Sequence, residues 1–406
     1  MDAPLAGIKV LDLSRLLPGG ICSLMLADLG AEVVKLEDTG AGDYIRWAPP
    51  HHQGMPASAS SAMYQALNRN KKSIRVNLKT DEGKEVLRRL VREFDVLLES
   101  FRPGVMDRLG VGYEELRKEN ERLVFCAISG YGTEHPEYAG RVGHDLNYIA
   151  LVGVLGLSGE RGGPPVPPEV QVADTAGGSL FAAMSILAAL RGREASGNGQ
   201  FVDVSMTHGV LAMISGLMGR FLCDGNVPTR GETWPICYSP YECKDGWVTI
   251  GALEHKFWVN WCEGVERPDL IDQQFAPHGS EAHQAIKEEF AKRTRDEWEQ
   301  FAAEHECCVE PVLTVDEVAS SSLLSERESL IELDDAGADG PVRQVDFPVR
   351  FSGGYRAPRA PAPELGEHTE EVLTAIGYSA EEVASMTEAG AIAGRQDSPT
   401  GQFLGV

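Results

Sequence analysis

The sequence predicts an α/β protein, with a doubly wound open sheet in a large domain and a smaller α+β domain. Its 406 residues are too many for one ordinary hydrophobic core, so two domains are expected. The first third of the chain alternates short apolar runs with helical segments, which is the order that builds a parallel sheet. Later, the turn Asp245-Gly246 between two strand-like runs indicates an antiparallel hairpin instead.

The predicted large sheet begins with the apolar run 8–13 (IKVLDL), a helix over 21–29 and a second strand over 31–37. Further strands are expected at 73–78, 95–100, 123–130 and 200–206. Helices are expected at 80–94, 113–120, 177–191 and 204–221. After the hairpin, amphipathic helices near 255–304 place the smaller domain at about 232–325.

Composition excludes several classes of function. The formal net charge is −24, and a field of that sign repels nucleic acid and anionic lipid, so neither is an expected partner. The 8 cysteines are scattered without a CxxC pair, which is typical of a reduced, cytoplasmic protein without a structural zinc site. The N-terminus lacks the pattern of a signal peptide, and no apolar run reaches the ~20 residues of a membrane span. We therefore expect a cytoplasmic protein with neither a membrane segment nor a metal.

The first local signal is the stretch Gly143–Tyr148 (GHDLNY). Histidine is the side chain best matched to proton transfer near neutral pH, and Gly143 lets the backbone approach a ligand closely. The alternative is a core histidine at 144 followed by Asp145 as the N-cap of the next helix. The spacing alone favours this alternative.

The second signal is Asp174 in the stretch 170–178 (VQVADTAGG), after an apparent apolar strand and before a helix. Open α/β sheets bind ligands at the carboxyl ends of their strands, which would make Asp174 a candidate for chemistry. The alternative is that Asp174 only caps the helix, and the local pattern alone favours this alternative.

Positive charge is concentrated in two places in this acidic chain. Four cations lie within 69–75 (RNKKSIR), and Arg102 and Arg108 follow a predicted strand. Cations so placed are suited to phosphate groups, although a charge run is usually a solvated turn. GxGxxG after the first strand, a Walker loop and GxSxG are all missing, so dinucleotide hydride transfer and nucleotide hydrolysis lack their signatures.

Taken together, these stretches resemble the class III coenzyme A-transferase family (CaiB/BaiF type), which also contains α-methylacyl-CoA racemase. The resemblance runs in family order across nearly the whole chain. Its matching segments include PLAGIKVLDLS, ADLGAEVVKLE, DVLLESFRPGVMDRLG, GHDLNYIALVGVL, VQVADTAGGSLFAAM, YECKDGWVTIGALEHKFW and ELGEHTEEVL.

The resemblance implies a fold and an assembly. The large domain would comprise 1–222 and 332–406, and the small domain 232–325, with linkers at 223–231 and 326–331. Two subunits would interlock like chain links in a homodimer. The expected substrate is an acyl-CoA thioester, with no cofactor beyond coenzyme A as part of that substrate.

The resemblance also implies catalytic roles. In a transferase, Asp174 would attack the thioester carbonyl and form an aspartyl anhydride and then an aspartyl thioester. In a racemase, His144 and Asp174 would lie on opposite sides of the α-carbon, one removing the α-proton and the other returning a proton. Asp145 and Glu254 match racemase residues, and Glu254 would support the histidine. Backbone N–H groups after His144 would stabilise the enolate.

Coenzyme A is expected to bind residues carried over from the family or chosen for their charge. They are Arg46, Arg69, Lys71, Val76, Asn77, Leu78, Lys79, Ser100, Phe101, Arg102, Arg108, Gly143, Leu146, Asn147 and Tyr148. The basic members are expected to form a positive patch in an otherwise negative field.

Two enzyme classes stay open at this point. The GHD stretch, Glu254 and the missing glycine-run loop resemble the branch that racemises 2-methylacyl-CoA thioesters. Asp38, where racemases carry an arginine, and TWPICY at 233–238, where they show GGAP-Y, resemble the transferases. A non-catalytic acyl-CoA-binding protein is a third alternative, but binding alone requires none of His144, Asp174 and Glu254.

Overall fold

The computed structural model describes residues 3–160, 162–231, 234–334, 337–396 and 401. The chain divides into two compact units. The first comprises Met1–Val154, Pro168–Gly216 and Arg327–Val406, and the second comprises Leu155–Pro167 and Leu217–Glu326. Residues 155–167 and 217–222, predicted in the large domain, belong to the second unit, which also includes the predicted linker 223–231. Residues 232–233, the expected start of the small domain and of TWPICY, lie outside the described residues.

The first unit contains a seven-stranded sheet. Its strands are β1 (Lys9–Asp12), β2 (Glu32–Glu37), β3 (Lys71–Val76), β4 (Val96–Glu99), β5 (Val124–Ser129), β6 (Phe201–Ser205) and β12 (Ile392–Ala393). They lie in the order β12-β3-β2-β1-β4-β5-β6, with only β12 antiparallel to its neighbour. The predicted α/β class with a parallel-rich sheet is confirmed. The chain turns to opposite sides of β1 to form β2 and β4, and such a switch point is where open α/β sheets bind ligands.

The central strands are buried along nearly their whole length, as their continuous apolar runs predict. Leu11 of β1 pairs with Val34 on one side and with Leu97 on the other, and none of the three is exposed. Helix α3 (Asp81–Glu93) begins at Thr80, whose hydroxyl accepts a hydrogen bond from Gly83 N at 3.1 Å. Its apolar side packs into the same core.

In the sequence, the other helices of the first unit lie between these strands. They are α1 (Leu16–Asp28), α2 (Ala62–Asn68), α4 (Val105–Leu109), α5 (Tyr113–Glu119), α6 (Asp145–Leu151), α8 (Phe181–Ser196), α9 (Met206–Met213), α16 (Thr369–Ala375) and α17 (Ala380–Glu388), with a 3₁₀ turn at Tyr44–Trp47 and a π-helix at Ala173–Leu180. Strands β10 (Leu330–Glu332) and β11 (Arg343–Val345) form a separate antiparallel pair.

The second unit contains the predicted hairpin. Strands β7 (Tyr238–Cys243) and β8 (Gly246–Gly251) are antiparallel, and β9 (Val309–Pro311) extends them. Trp258, Trp261 and Trp298 are fully buried in its core. Its helices are α11 (His255–Gly264), α12 (Glu281–Phe290), α13 (Arg295–His305), α14 (Val315–Ser320) and α15 (Ser322–Glu326), with a 3₁₀ turn at Pro268–Gln273. Helices α7 (Val154–Leu157) and α10 (Ser215–Asp224) span the points where the chain passes between units.

One prediction about apolar length is wrong. The π-helix and α8 form a continuous 24-residue stretch, Ala173–Ser196, which is long and apolar enough to cross a membrane by length and composition alone. The bent pair α9 and α10 also passes this test when the two helices are taken together. Half of the Ala173–Ser196 window is buried inside the protein, and core helices of soluble proteins meet the same criterion.

Candidate active site

Asp174 lies in the first turn of the π-helix, not after a strand. Residues 170–172 form no strand, so the predicted setting at the end of an apolar strand is wrong. Small residues allow close packing here: a Cβ on Gly177 would lie 2.7 Å from Met206 O, and one on Gly209 would lie 2.0 Å from Gly177 O. The side chain of Asp174 is half-buried. π-Helical turns are rare and frequently mark functional sites.

Asp145 joins the two stretches that the sequence singled out. Its Oδ1 accepts hydrogen bonds from Ala173 N at 2.5 Å and from Asp174 N at 2.9 Å. Asp145 is also the first residue of α6, directly after His144. The helix caps therefore differ from those that the alternative predicted. Asp145 caps the π-helix that carries Asp174, and His144, not Asp145, occupies the N-cap position of α6. This link brings the main chains of His144 and Asp174 into one site.

The electrostatics of Asp174 suit a group that exchanges protons near neutral pH. Burial, followed by the nearby carboxylate of Asp145, raises the pKa of Asp174 to about 7. Neither cause is offset by a cation. Both causes disfavour the carboxylate form, so the two protonation states are nearly equally populated at neutral pH.

The peptide between Gly143 and His144 is fixed from both sides by the first turns of α6. Tyr148 Oη donates to Gly143 O at 2.5 Å, and His144 N donates to Asn147 Oδ1 at 3.0 Å. A Cβ on Gly143 would lie 2.8 Å from Tyr131 Oη, so this close approach requires glycine. The His144 side chain itself is exposed. Asn147 and Tyr148, which were expected to contact coenzyme A, therefore hold the main chain at His144 in place.

Tyr44 is a site residue that sequence reasoning missed. Burial raises the pKa of its phenol, followed by the charge of Asp43, and Asp174 adds to the rise. Burial also raises the pKa of the Tyr148 phenol, with Asp174 as the next cause. The two tyrosines thus lie within electrostatic range of Asp174. No local pattern marks Tyr44, since only the fold brings the 3₁₀ turn towards the π-helix.

Glu254 belongs to the second unit. It occupies the N-cap position of α11, and its side chain is exposed. Its charge contributes to raising the pKa of Cys308, after burial, which places these two side chains near each other. Its expected support of His144 stays a prediction.

The expected surface patch of cations is wrong for Arg46 in the 3₁₀ turn, for Arg69 just before β3 and for Lys71 on β3. Arg46, Arg69 and Lys71 are buried and lie within 2.5, 2.5 and 3.5 Å of Glu37, Asp28 and Asp12. Val76 is a core residue of β3, and its side chain is equally inaccessible. All five N–H groups of Arg46 donate to oxygens of Glu37, Ser58, Pro363 and Ser73, so none is free for an external phosphate.

Other predicted coenzyme A residues lie at the switch point of the sheet or remain accessible. Ser100 follows β4, and its Oγ accepts a hydrogen bond from Arg15 N at 3.1 Å, which bridges the ends of β4 and β1. Arg102, Arg108, Lys79 and Leu146 are exposed, whereas Phe101, Asn77 and Leu78 are half-buried. Among the described residues, Arg102 and Arg108 have no carboxylate within ion-pair distance. The part of the chain that the structure describes contains no group of side chains that could hold a metal ion.

Comparison with known proteins extends these observations to the whole chain. The model of CoA-transferase family III matches residues 5–369. Succinyl-CoA:mesaconate CoA-transferase of Haloarcula marismortui is 35% identical over 91% of this chain and 96% of its own. Human alpha-methylacyl-CoA racemase is 34% identical over 93% of this chain and 95% of its own. The crystal structure of a CAIB/BAIF family protein from Brucella suis superposes with a TM-score of 0.81 at 29% identity, covering 93% of this chain and 100% of the other.

Proposed function

We propose, on the basis that this chain belongs to CoA-transferase family III, that it racemises 2-methylacyl-CoA thioesters by two-base proton transfer. The family contains both transferases and racemases, and similar relatives of each kind are known. The choice between them therefore rests on the site. One observation carries it: Asp145 hydrogen-bonds the backbone of Asp174 while it follows His144 directly in the chain.

This link supplies two acid–base groups to one site. Asp174, with its pKa raised to about 7, can accept or donate a proton at neutral pH, and so can a histidine. A nucleophile must be ionised, and the surroundings of Asp174 oppose ionisation. The geometry thus favours proton transfer at an α-carbon between His144 and Asp174. The intermediate enolate would be stabilised by backbone N–H groups at the start of α6, and Glu254 would support His144.

The second candidate is a transferase that moves coenzyme A between carboxylic acids through an Asp174 thioester. The residue at position 38 favours it, because Asp38, which pairs with Arg15 at 2.5 Å, matches the place where the racemase branch carries an arginine. We propose an interlocked homodimer and a cytoplasmic location for either candidate.

Proton exchange tests the racemase proposal directly. A single epimer of a 2-methylacyl-CoA, incubated in heavy water without any free acid, should gain deuterium at the α-carbon and lose optical purity. His144→Ala and Asp174→Ala should each slow this exchange about 10²–10⁴-fold, the usual contribution of a general acid or base. His305→Ala, at the end of α13 in the second unit, is the matched control and should behave like the wild type.

The same variants separate the two enzyme classes. Incorporation of a labelled free acid into the thioester pool, lost in Asp174→Ala but retained in His144→Ala, would establish the transferase and refute the racemase. Absence of deuterium uptake by the wild-type protein over a panel of 2-methylacyl-CoA thioesters would also refute the racemase.

A further inference from the structure

Ser179 joins Asp174 to a distant part of the chain. Its side chain is fully buried in the π-helix, with Oγ 2.7 Å from Asp174 O and 2.8 Å from Pro18 O. A hydroxyl has one proton, and both neighbours are carbonyl oxygens that only accept. The single O–H is therefore shared between them. It fastens the main chain of Asp174 to the segment that leads into α1 and forms its first turn.

That segment is held in an unusual conformation. Leu16 has a φ of 60°, a left-handed value that costs a non-glycine residue free energy and persists only where its surroundings impose it. Leu16 N donates to both carboxylate oxygens of Asp43, at 3.3 and 3.2 Å. Arg15 N donates to Ser100 Oγ at 3.1 Å. Consecutive backbone N–H groups are thus tied to two other elements.

Buried charge fixes the same segment from the sheet side. Lys35 Nζ donates to Ser14 O at 2.8 Å and lies 3.0 Å from Asp43 Oδ2, and both charged groups are buried. The chain folds back so tightly that a Cβ on Gly19 would lie 2.0 Å from Ser14 Oγ. The segment Ser14–Pro18 is consequently a rigid reference point.

We propose that Ser179 is a positioning residue that holds Asp174 in its partly buried place by anchoring the π-helix to the segment Ser14–Pro18. This inference rests on the proposed function, because it takes Asp174 as the reacting carboxyl group. A π-helical turn is wider than an α-helical turn and is seldom kept without outside support. Without the Ser179 hydroxyl the turn relaxes and the Asp174 carboxyl group moves towards solvent.

The test is the steady-state kinetics of Ser179→Ala over a range of pH, in whichever Asp174-dependent reaction the wild type catalyses. We expect kcat to fall about 10- to 100-fold, as small misplacements of reacting groups cause. KM should stay within about twofold, since Ser179 is fully buried and inaccessible to a substrate. The ionisation near pH 7 in the kcat profile, assigned to Asp174, should move to lower pH as the carboxyl group becomes solvated.

Two further variants separate positioning from stability. Thr369→Val removes another buried hydroxyl of the same unit, which donates to Gly366 O at 3.0 Å, and should lower stability without changing kcat or its pH profile. Ser179→Cys keeps a side chain of similar size with a weaker donor and should fall between Ser179→Ala and the wild type.

Wild-type kcat and pH profile in Ser179→Ala or Ser179→Cys would overturn the inference. So would failure of both variants to fold while Thr369→Val folds, because Ser179 would then serve stability alone. Failure of the proposed function is distinguishable. A transferase would lose activity in Asp174→Ala but keep it in His144→Ala, and an enzyme that does not use Asp174 would retain activity in Asp174→Ala.

Discussion

The carboxyl groups of Glu37 and Asp174 lie in the same compact unit, yet their surroundings shift their pKa values in opposite directions. Burial disfavours the charge of both. At Glu37 the attraction of the buried Arg46 guanidinium outweighs the effect of burial and lowers the pKa to about 2. At Asp174 the neighbouring charge is the carboxylate of Asp145, and the pKa rises to about 7. A carboxylate with a matched cation stabilises the fold, whereas one beside a like charge stores free energy that chemistry can use.

The difference extends to the neighbours of each group. Asp12, Asp43 and Glu37 receive Lys71, Lys35 and Arg46 on β3, β2 and the 3₁₀ turn, and all six side chains are buried. They form a network of paired charges beside the sheet. The site around His144 and Asp174 receives tyrosines, glycines and backbone N–H groups instead. Charge is thus neutralised where the fold needs stability and left uncompensated where a proton must move.

Removing the cation of the Glu37 pair is expected to have the largest effect on stability. Arg46→Met leaves a buried carboxylate without its partner and should lower the free energy of unfolding by about 3–5 kcal/mol. Denaturant titration at pH 7 measures it. Arg191→Met, which breaks the exposed pair with Glu194 at 2.6 Å, is the matched control and should change stability by less than about 1 kcal/mol. Equal effects of the two substitutions would show that the buried pair stabilises the fold no more than the exposed pair does.

The pH dependence of the same pair sharpens the comparison. Because the pKa of Glu37 is lowered in the folded state, its contribution is complete above pH 4.5 and is lost as pH falls towards 2. Arg46→Met should therefore lose stability mainly at neutral pH and approach the wild type in acid.

Asp174→Asn should raise the free energy of unfolding, whereas Arg46→Met lowers it, and the change should be smaller than that in Arg46→Met. The folded-state pKa of Asp174 is raised from 3.8 to about 7, so wild-type stability falls as pH rises through this interval. The neutral amide removes that cost, and we expect a gain of about 1–4 kcal/mol at pH 8 and none below pH 4. Denaturant unfolding at the two pH values measures it. Asp81→Asn, at an exposed carboxylate, should show no such gain, and a loss of stability in Asp174→Asn at pH 8 would contradict the assignment.

The smallest expected effect concerns the cations that the fold leaves accessible. Arg102→Gln should weaken coenzyme A binding about 3- to 10-fold at low ionic strength, and the difference should shrink in added salt. Titration calorimetry at two salt concentrations measures it. Arg117→Gln, on the exposed side of α5, is the control. Unchanged affinity in Arg102→Gln would place the coenzyme A phosphates elsewhere.

The sequence by itself determined the local elements and the candidate residues. The apolar runs predicted β1, β2, β4 and β5 to within about one residue, because parallel strands buried on both faces require continuous apolar sequence. The predictions for β3 and for the edge strand β6 were within about two residues. The turn residues predicted the hairpin of β7 and β8. The stretches around His144 and Asp174 were found because their residue types match proton transfer and because their order resembles the family.

The tertiary structure decided which of these residues carry uncompensated charge. The cations of 69–75 looked like a ligand patch, but Lys71 is buried on β3 and Arg69 is buried just before it, and their partners Asp12 and Asp28 come from β1 and α1. Likewise, the bond from Asp145 to Asp174 spans 28 intervening positions, and that from Ser179 to Pro18 joins positions 161 apart. Local patterns report which side chains are available. Only packing fixes which of them meet, because pairing energies depend on distance and burial that the linear order does not contain.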